Sequence, residues 1–384
     1  MKSIALVTSA ATVFFGGINI YKGNEKFYEN IIMPISRMLP PETAHMLAVK
    51  ACKYKLFYGK TLDDLKILET QFFGRSMSNP IGIAAGFDKQ GEAVEGLEQI
   101  GFGLVEVGSI TPLPQPGNPK PRVFRLIEDQ AIINRYGFNS DGHEIVYQRL
   151  KELKDRKCFK GVLGVNLGKN KTSENGNMDY VKGIEVFGPI CDYLVINISS
   201  PNTPGLRNLQ YKKNLEDLLT DAIKARNNLT SYKPVFLKIA PDLTKEEVKD
   251  ITKVISKKAC KIDGLIISNT TVDRTNLRNE LYSQEVGGLS GAPLKLKSTE
   301  LIAQIYYETS GKIPIIGVGG VFDGKDAYEK ILAGASYIQI YTALIYNGPP
   351  IVNKIKIELN ELLEKNGYRN VNEAVGKNYK KYLR

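Results

Sequence analysis

The chain has 384 residues, 42% of them hydrophobic and 24% charged, with a formal net charge of +11; this is the composition of a globular protein, and the length accommodates one barrel with an appendage. The positive charges form no long block and no run interleaved with aromatic residues, a distribution that disfavours nucleic-acid binding. The four cysteines form no CxxC pair, which disfavours zinc and iron–sulfur sites, and we expect no metal site.

Residues 1–22 are predicted to form a membrane anchor. No charged residue occurs between Ser3 and Tyr21, and a lysine flanks this stretch on each side. A helix of this length extends about 28 Å, which is close to the thickness of a bilayer core. The alternative is a cleaved signal peptide, for which Ser9-Ala10-Ala11 offers the small residues of a cleavage site.

Residues 23–70 are predicted to form a small helical domain. Apolar side chains recur at three- and four-residue steps over residues 27–39, which indicates an amphipathic helix, and Pro40-Pro41 ends it. A second helix is predicted over residues 42–58. The pair is interpreted either as a cap on the main domain or as two helices in the membrane interface with an apolar face open to lipid. If the main domain folds alone, we expect that removing residues 1–60 exposes no new core.

Residues 71–384 are predicted to form a (β/α)8 TIM barrel, so that the fold class is α/β. Eight short, nearly continuous apolar runs alternate with helical patterns, as in a parallel sheet covered on both faces. The predicted strands are Ile81–Ala85, Leu104–Gly108, Gly161–Leu167, Tyr193–Ile198, Val235–Ile239, Gly264–Ile267, Ile313–Val318 and Tyr337–Tyr341. No GxGxxG motif follows any of them, which disfavours a dinucleotide-binding Rossmann fold.

Two long connections are expected to cover the catalytic face of the barrel. Residues 112–160 open with five prolines in ten residues and continue with a predicted hairpin around Glu128-Asp129. Residues 269–312 carry the glycine-rich stretch Gly287–Gly291.

The carboxyl ends of barrel strands usually carry the active site, and here they carry three kinds of chemistry. Gly317–Gly320 and Tyr341-Thr342 can direct backbone N–H groups at a phosphate. Lys89 and Lys238 can stabilise negative charge on a reduced flavin, or they are rim lysines with solvated heads. Five asparagines supply uncharged hydrogen-bond donors and acceptors that suit a flat heterocycle. Any one of them, taken alone, is also typical of a turn. These are Asn134, Asn166, Asn197, Asn202 and Asn269.

Six motifs, most of them at the predicted strand ends, occur together in the chain. They are AAGFDKQG at 84–91, NRYGFN at 134–139, NISSPNTPGL at 197–206, SNTT at 268–271, GLSGAP at 288–293 and GVGGV at 317–321. Together they resemble the dihydroorotate dehydrogenase family over about residues 27–360. The N-terminal helices are similar to those of its membrane-bound, quinone-dependent class 2.

The resemblance implies an FMN-containing barrel that oxidises dihydroorotate to orotate in pyrimidine biosynthesis. Electrons then pass to ubiquinone, and the enzyme is anchored by its N-terminus in the lipid of the mitochondrial inner membrane. No nucleic acid and no obligate protein partner is implied.

The resemblance also implies a role for each matched residue. Ser200 is the catalytic base, Thr203 and a water relay the proton, Phe138 shields the site, and Ser199 is expected to face away. The substrate residues implied are Lys89, Asn134, Arg135, Tyr136, Gly137, Phe138, Asn197, Asn202, Asn269 and Thr270, with Lys89 at the carboxylate. The FMN residues implied are Ala84, Ala85, Gly86, Phe87, Asp88, Ser109, Asn166, Asn197, Lys238, Ser268, Gly291, Gly320, Tyr341 and Thr342. The quinone-tunnel residues implied are His45, Arg125 and Tyr341.

Three other functions are weighed against this one. An FMN-dependent 2-hydroxy-acid oxidase is also a barrel but needs a histidine base, and neither His45 nor His143 follows a predicted strand. The NAD-linked dihydroorotate dehydrogenases use a cysteine base and an iron–sulfur partner, whereas this chain has Ser200 and a predicted anchor. A non-catalytic membrane-anchored flavin scaffold is disfavoured because polar groups are retained at every strand end.

Overall fold

A computed structural model describes residues 2–57 and 65–383 of the chain. Three parts of the chain lie outside the described residues: Met1 of the predicted anchor, residues 58–64 of the predicted helical domain, and Arg384. The last residue of the predicted second helix, Tyr58, is among them. The α-helices are α1 Lys2–Tyr21, α2 Glu25–Phe27, α3 Met33–Met38, α4 Pro41–Lys53, α5 Val94–Ile100, α6 Gly142–Arg156, α7 Gly176–Phe187, α8 Lys212–Asn227, α9 Lys245–Ile255, α10 Lys295–Glu308, α11 Gly324–Ala333, α12 Thr342–Asn347 and α13 Ile351–Lys365. The strands are β1 Thr70–Phe72, β2 Arg75–Met77, β3 Ile81–Ile83, β4 Leu104–Ile110, β5 Val123–Leu126, β6 Ala131–Asn134, β7 Val162–Leu167, β8 Tyr193–Asn197, β9 Val235–Ile239, β10 Gly264–Ile267, β11 Gly288–Gly291, β12 Ile315–Val318 and β13 Tyr337–Ile340.

Eight parallel strands close into the barrel predicted from the sequence, in the order β3, β4, β7, β8, β9, β10, β12, β13. All eight predicted strands are confirmed, with small differences at their ends. They are buried on both faces because successive side chains point alternately into the barrel and towards the surrounding helices. The carboxyl ends of all eight strands therefore meet at one rim.

The amino-terminal end of the barrel is closed by the antiparallel hairpin of β1 and β2. Phe72 of β1 stacks on Phe236 at a centroid distance of 5.7 Å and lies 5.1 Å from both Tyr193 and Tyr337. This aromatic plug fills the lower half of the barrel. The cavity at the other end is consequently a pocket with a floor and not a channel.

A second, three-stranded sheet lies over the carboxyl rim and combines the two long connections. The predicted hairpin of β5 and β6 is confirmed, and β11 pairs antiparallel with β6. Gly287, which precedes β11, has φ +141°, and a Cβ there would lie 2.4 Å from the carbonyl oxygen of Asn134. Only glycine permits this close approach, so the glycine-rich stretch is a pairing element between distant parts of the chain.

The N-terminal helix predicted from the uncharged stretch forms as α1, with Phe14 and Phe15 exposed. Within residues 2–57 and 65–383, however, no helix reaches the combination of length and hydropathy that a membrane span requires. Small and polar residues such as Thr8, Ser9 and Gly16 lower the hydropathy of α1. The helix is therefore confirmed, and its predicted bilayer-spanning role is not.

Two helical segments follow α1 and form the helical pair. The first spans residues 25–38 and has a π-helical turn at Tyr28–Ile32 between α2 and α3, and the second is α4. The pair packs against the barrel: Cys52 of α4 is 2% exposed and belongs to the main core. A Cβ on Gly96 of α5 would lie 1.8 Å from the carbonyl oxygen of Cys52, so the two helices cross in backbone contact. The expectation that removing residues 1–60 exposes no core is therefore wrong.

The outer face of the same pair is apolar. Met38 is 84% exposed and Met46 is half exposed, whereas Ile35 and Leu47, which are also at least half exposed, line a cavity between the pair and the barrel. Both interpretations of the pair thus have a counterpart in the structure, because one face caps the barrel and the other presents apolar side chains to the surroundings.

Candidate active site

The carboxyl rim of the barrel surrounds a cavity of about 980 Å³, which we call the rim cavity. Most of the predicted site residues line it, although they come from different strands and connections. They are Ala84, Ala85, Gly86, Lys89, Ser109, Asn134, Tyr136, Gly137, Phe138, Asn197, Ser200, Asn202, Lys238, Ser268, Asn269, Thr270, Gly291, Gly320, Tyr341 and Thr342.

Five of the predicted catalytic, substrate and FMN residues lie outside the lining of the rim cavity: Phe87, Asp88, Arg135, Asn166 and Thr203. Arg135 points away, because it forms an ion pair with Glu285 and lies over the ring of Phe124. Asp88 accepts hydrogen bonds from the backbone N–H groups of residues 92 and 93, so it shapes the turn before α5. The side chains of Arg135 and Asp88 are thus engaged outside the rim cavity.

An amide and hydroxyl network forms one wall of the rim cavity. The Asn197 amide donates to Ser109 Oγ at 2.8 Å and to Asn166 Oδ1 at 3.1 Å. The Asn269 amide donates to Asn197 Oδ1 at 3.2 Å and to Ser199 Oγ at 2.9 Å. Asn166 therefore lies one layer behind the cavity and fixes the orientation of the amide that lines it. Ser199 faces into this wall, away from the cavity lining.

A buried carboxylate that the sequence interpretation missed lies below this network. Glu106 of β4 is fully buried and accepts hydrogen bonds from Asn166 Nδ2 at 2.8 Å, Tyr193 Oη at 2.9 Å and Gln339 Nε2 at 2.7 Å. The signal was present, because Glu106 and Gln339 are the polar residues of the otherwise apolar runs LVEV and YIQI. Gln339 also lines the rim cavity, and no group in the described part of the chain donates a hydrogen bond to its buried Oε1.

Lys238 of β9 is a buried cation in the wall of the rim cavity. It is 5% exposed, and among the described residues no group accepts a hydrogen bond from its ammonium. Burial lowers the pKa of Lys238, while the negative charge of Glu106 acts in the opposite direction. An ammonium held in this way is available to an anionic ligand group in the cavity.

Lys89 is the second cation of the rim cavity. Its Nζ lies 4.3 Å from the ring centroid of Tyr136, and Arg122 lies 5.2 Å from the same ring. Burial, together with the nearby positive charge of Arg122, lowers the pKa of Lys89 to about 8. Its charge can therefore be lost within the range in which enzymes are assayed.

Ser200 lies on the connection that follows β8 and is 7% exposed. Its Oγ accepts a hydrogen bond from the backbone N–H of Asn202 at 3.2 Å. The Asn202 amide in turn donates to Asn134 Oδ1 at 3.2 Å, across the cavity mouth. Neither of the two histidines contacts Ser200: His45 is bonded elsewhere, and His143 packs edge-on against Phe187.

The far end of the rim cavity suits a phosphate. Gly319 and Gly320 line it with φ of +115° and +67°, and a Cβ on Gly320 would lie 2.6 Å from the backbone of Lys295. Thr342 Oγ1 donates to Ser290 Oγ at 2.9 Å, which adds two hydroxyls. Ser290 was missed from the sequence, because β11 is brought here only by its pairing with β6.

A second cavity of about 1410 Å³, which we call the side cavity, lies between the helical pair and the barrel. Its lining includes the three predicted quinone-tunnel residues, His45, Arg125 and Tyr341, and also Phe87. Arg125 donates to the carbonyl oxygens of Arg37 at 2.8 Å and Leu39 at 2.9 Å, so it ties the end of α3 to β5 of the three-stranded sheet.

Three residues, Asn134, Tyr136 and Tyr341, line both cavities and form the wall between them. His45 Nε2 lies 2.7 Å from the carbonyl oxygen of Phe87, which can only accept, so Nε2 carries the proton and Nδ1 accepts from Tyr136 Oη at 3.0 Å. Burial lowers the pKa of His45 to about 4, and the imidazole is neutral at pH 7.

Three comparisons with known proteins all indicate the same family. The family model described as dihydroorotate dehydrogenase matches residues 67–363. The chain is 50% identical to the mitochondrial quinone dihydroorotate dehydrogenase of Mus musculus, covering 98% of this chain and 97% of that protein. It is 47% identical to the quinone enzyme of Rhodopseudomonas palustris, covering 91% and 95%. The crystal structure of a DHODH from Eimeria tenella in complex with ferulenol superposes with a TM-score of 0.84 at 42% identity, covering 88% and 95%.

Proposed function

The chain belongs to the dihydroorotate dehydrogenase family, and on this premise we propose how its two cavities divide the reaction. It is a quinone-dependent enzyme that oxidises dihydroorotate to orotate in pyrimidine biosynthesis. The near-complete coverage of quinone-class relatives at 47–50% identity carries this assignment.

The members of this family are flavoenzymes, and we propose FMN as the cofactor of the rim cavity. The residues present fit it: a buried ammonium at Lys238, an unpaired acceptor at Gln339 Oε1, and a wall of amides at Asn197 and Asn269. Gly319 and Gly320 line the cavity and can direct backbone N–H groups at a phosphate. When bound, FMN would supply a two-electron acceptor for the hydrogen at C6 of dihydroorotate.

We propose that dihydroorotate binds at the mouth of the rim cavity. Lys89 pairs with the substrate carboxylate, since it lines the cavity with its ammonium 4.3 Å from the ring of Tyr136. Asn134 and Asn202, which already meet at 3.2 Å, bind the polar ring edges together with Asn269 and Thr270. Phe138 borders the same mouth and limits the access of water.

Ser200 is proposed to accept the proton from C5. The C5–H bond breaks, and its electron pair forms the C5=C6 double bond as the C6 hydrogen leaves with its own pair. A neutral serine must pass its own proton on as it accepts this one. Thr203, buried three residues along the same connection, is proposed as the next hydroxyl of that path.

The side cavity is proposed to bind the quinone. It is largely apolar, it opens beside the exposed apolar face of the helical pair, and it shares a wall with the rim cavity at Tyr136 and Tyr341. Arg125 is one of its polar groups and can donate a hydrogen bond to a quinone carbonyl oxygen, whereas the single N–H of His45, which lines the same cavity, already donates to the carbonyl oxygen of Phe87. The bundle formed by residues 23–70 is thus proposed as the tunnel entrance, and residues 71–384 as the catalytic barrel.

The relatives named mitochondrial support a mitochondrial location, and association with the inner membrane through the N-terminus is our proposal. The exposed apolar side chains of α3 and α4 support it, since a surface of this kind binds in the headgroup region without a membrane span.

The function is tested by spectroscopy on the purified enzyme. A yellow protein whose flavin absorbance bleaches when dihydroorotate is added without oxygen, and recovers when a short-chain quinone follows, is the expected result. A flavin-loaded protein that ignores dihydroorotate but is reduced by a 2-hydroxy acid contradicts the proposal.

Substitution of Ser200 tests the proton acceptor. Ser200→Ala is expected to keep its flavin and bind orotate but to lose about 10²–10⁴ in the rate of flavin reduction at neutral pH, as removal of a positioned base does. Ser200→Cys is expected to keep part of the rate, because a thiol ionises more readily. Stopped-flow reduction of the alanine variant at the parental rate contradicts the assignment.

A further inference from the structure

The connection that carries Ser200 is held by an arginine that lies outside both cavities. Arg207 Nε donates to the carbonyl oxygen of Ser199 at 3.0 Å, and Ser199 directly precedes Ser200. Arg207 Nη2 donates to the carbonyl oxygen of Thr270 at 2.8 Å. One guanidinium thus joins the end of β8 to the end of β10.

The third arm of this guanidinium is fixed by a carboxylate. Arg207 Nη1 donates to Asp242 Oδ2 at 2.9 Å. Asp242 also accepts from Lys297 Nζ at 2.9 Å, from the backbone N–H of Val272 at 3.1 Å and from Thr271 Oγ1. Asp242 therefore belongs to the same rigid unit as the segment after β10, and Arg207 has no freedom to follow a displaced Ser200.

We propose that Arg207, seated on Asp242, is a positioning residue that sets the distance between Ser200 and the substrate. The inference rests on the proposed roles of Ser200 as proton acceptor and of Asn269 and Thr270 as ring contacts. Those groups lie on the two segments that Arg207 joins, so the spacing of base and substrate depends on its three hydrogen bonds. Because the fork of an arginine holds its donors in fixed directions, a lysine cannot replace it.

A matched control is offered by Arg226 of α8. It is 7% exposed, forms an ion pair with Asp263 at 2.7 Å and donates to the carbonyl oxygen of Lys233 at 3.3 Å. Like Arg207, Arg226 joins a carboxylate to a backbone carbonyl and lines neither cavity, but it is not connected to the Ser200 segment. Its loss is expected to lower Tm without affecting the reaction.

The experiment compares anaerobic flavin reduction by dihydroorotate, with and without deuterium at C5, in the holoenzymes of Arg207→Ala, Arg207→Lys and Arg226→Ala. Arg207→Ala is expected to slow reduction by about 10²-fold, the usual cost of misplacing a reacting group by about 1 Å. The isotope effect at C5 is expected to increase in this variant, and added guanidinium is expected to restore part of its rate. Its flavin content and its Kd for orotate are expected to stay near the parental values. Arg207→Lys is expected to stay slow, and Arg226→Ala to reduce at the parental rate.

Parental-rate reduction by Arg207→Ala overturns the positioning role. So does a slow rate that guanidinium does not restore and that leaves the C5 isotope effect unchanged, since it would identify a merely structural tether. If Arg207→Ala does not fold, Arg207→Lys decides by the same isotope effect. Ser200→Ala is measured in parallel: a parental rate in that variant overturns the proposed proton acceptor and is a separate outcome.

Discussion

The proposed role of Lys89 and its surroundings place opposite demands on its charge. It must be charged to bind a carboxylate, yet it lies partly buried beside Tyr136 and close to Arg122, which together lower its pKa to about 8. A bound carboxylate favours the protonated form and raises this pKa again. Substrate affinity should therefore depend on pH in a direction that can be stated in advance.

We predict that the Kd of orotate is constant below about pH 7 and rises by up to tenfold per pH unit above about pH 8. The protonated lysine binds the carboxylate, and the free enzyme loses that proton as the pH rises through its pKa. Titration of the flavin spectrum with orotate between pH 6 and 10 measures this. Lys89→Met is expected to bind weakly at every pH, and a flat parental profile up to pH 10 would falsify the pairing of Lys89 with the carboxylate.

Glu106 and Lys238 are two buried side chains of opposite charge inside the barrel. Three neutral donors hold the Glu106 carboxylate, and its charge favours the protonated form of Lys238 against the effect of burial. We infer that Glu106 keeps Lys238 charged next to the flavin, although it touches neither substrate nor cofactor position.

We predict that Glu106→Gln moves the alkaline loss of flavin-reduction rate to lower pH. Without the carboxylate the pKa of Lys238 falls further, so the ammonium loses its proton earlier as the pH rises. The pH profile of stopped-flow reduction measures the effect. Tyr193→Phe removes one hydrogen bond to Glu106 but keeps its charge, and it should retain the parental profile; identical profiles for Glu106→Gln and the parent contradict the inference.

The secondary-structure elements that depend on local sequence patterns could be predicted from the sequence. The eight barrel strands and the hairpin of β5 and β6 follow from apolar runs and turn residues, and all of them form. The sequence did not predict β11, which forms only by pairing with β6. Hydrogen-bond partners such as Glu285 for Arg135 are likewise non-local, so a motif match placed Arg135 in the site although its side chain points away.

The crossing of α4 and α5 is the element contact on which the side cavity depends. Gly96 permits it, because any Cβ there would overlap the backbone of Cys52. Gly324 of α11 is a comparable position far from the cavity, where a Cβ would lie 2.5 Å from the backbone nitrogen of Leu359. Comparing the two separates a displaced tunnel wall from general destabilisation.

We predict that Gly96→Ala slows reoxidation of the flavin by quinone and leaves its reduction by dihydroorotate at the parental rate. Displacement of α4 moves His45, whereas the rim residues stay in place. Both Gly96→Ala and Gly324→Ala should cost roughly 1–3 kcal/mol in the free energy of unfolding, as overpacking does. Stopped-flow measurement of each half-reaction decides: equal reoxidation rates in the two variants would show that α4 does not shape the quinone route.

At the scale of the whole molecule, the two half-reactions are assigned to cavities that share only a thin wall. The rim cavity is polar and built from strand ends, whereas the side cavity is apolar and built from the helical pair. A water-soluble substrate and an apolar acceptor can thus use the same flavin from different directions. Deleting the helical pair does not test this division, because its inner face belongs to the core.

The separable part of the molecule is α1. The helix that follows it is tied to the barrel by an ion pair between Glu25 and Lys354 at 2.7 Å, which a chain beginning at Gly23 retains. We predict that such a chain folds with its flavin and reduces short-chain quinones at the parental rate, but binds inner-membrane-like vesicles less well and uses a long-chain quinone within them more slowly. Vesicle co-sedimentation and turnover with both quinones measure this. Equal vesicle binding by both chains would assign membrane association to α3 and α4 alone, and loss of activity with the short-chain quinone would show that α1 belongs to the tunnel.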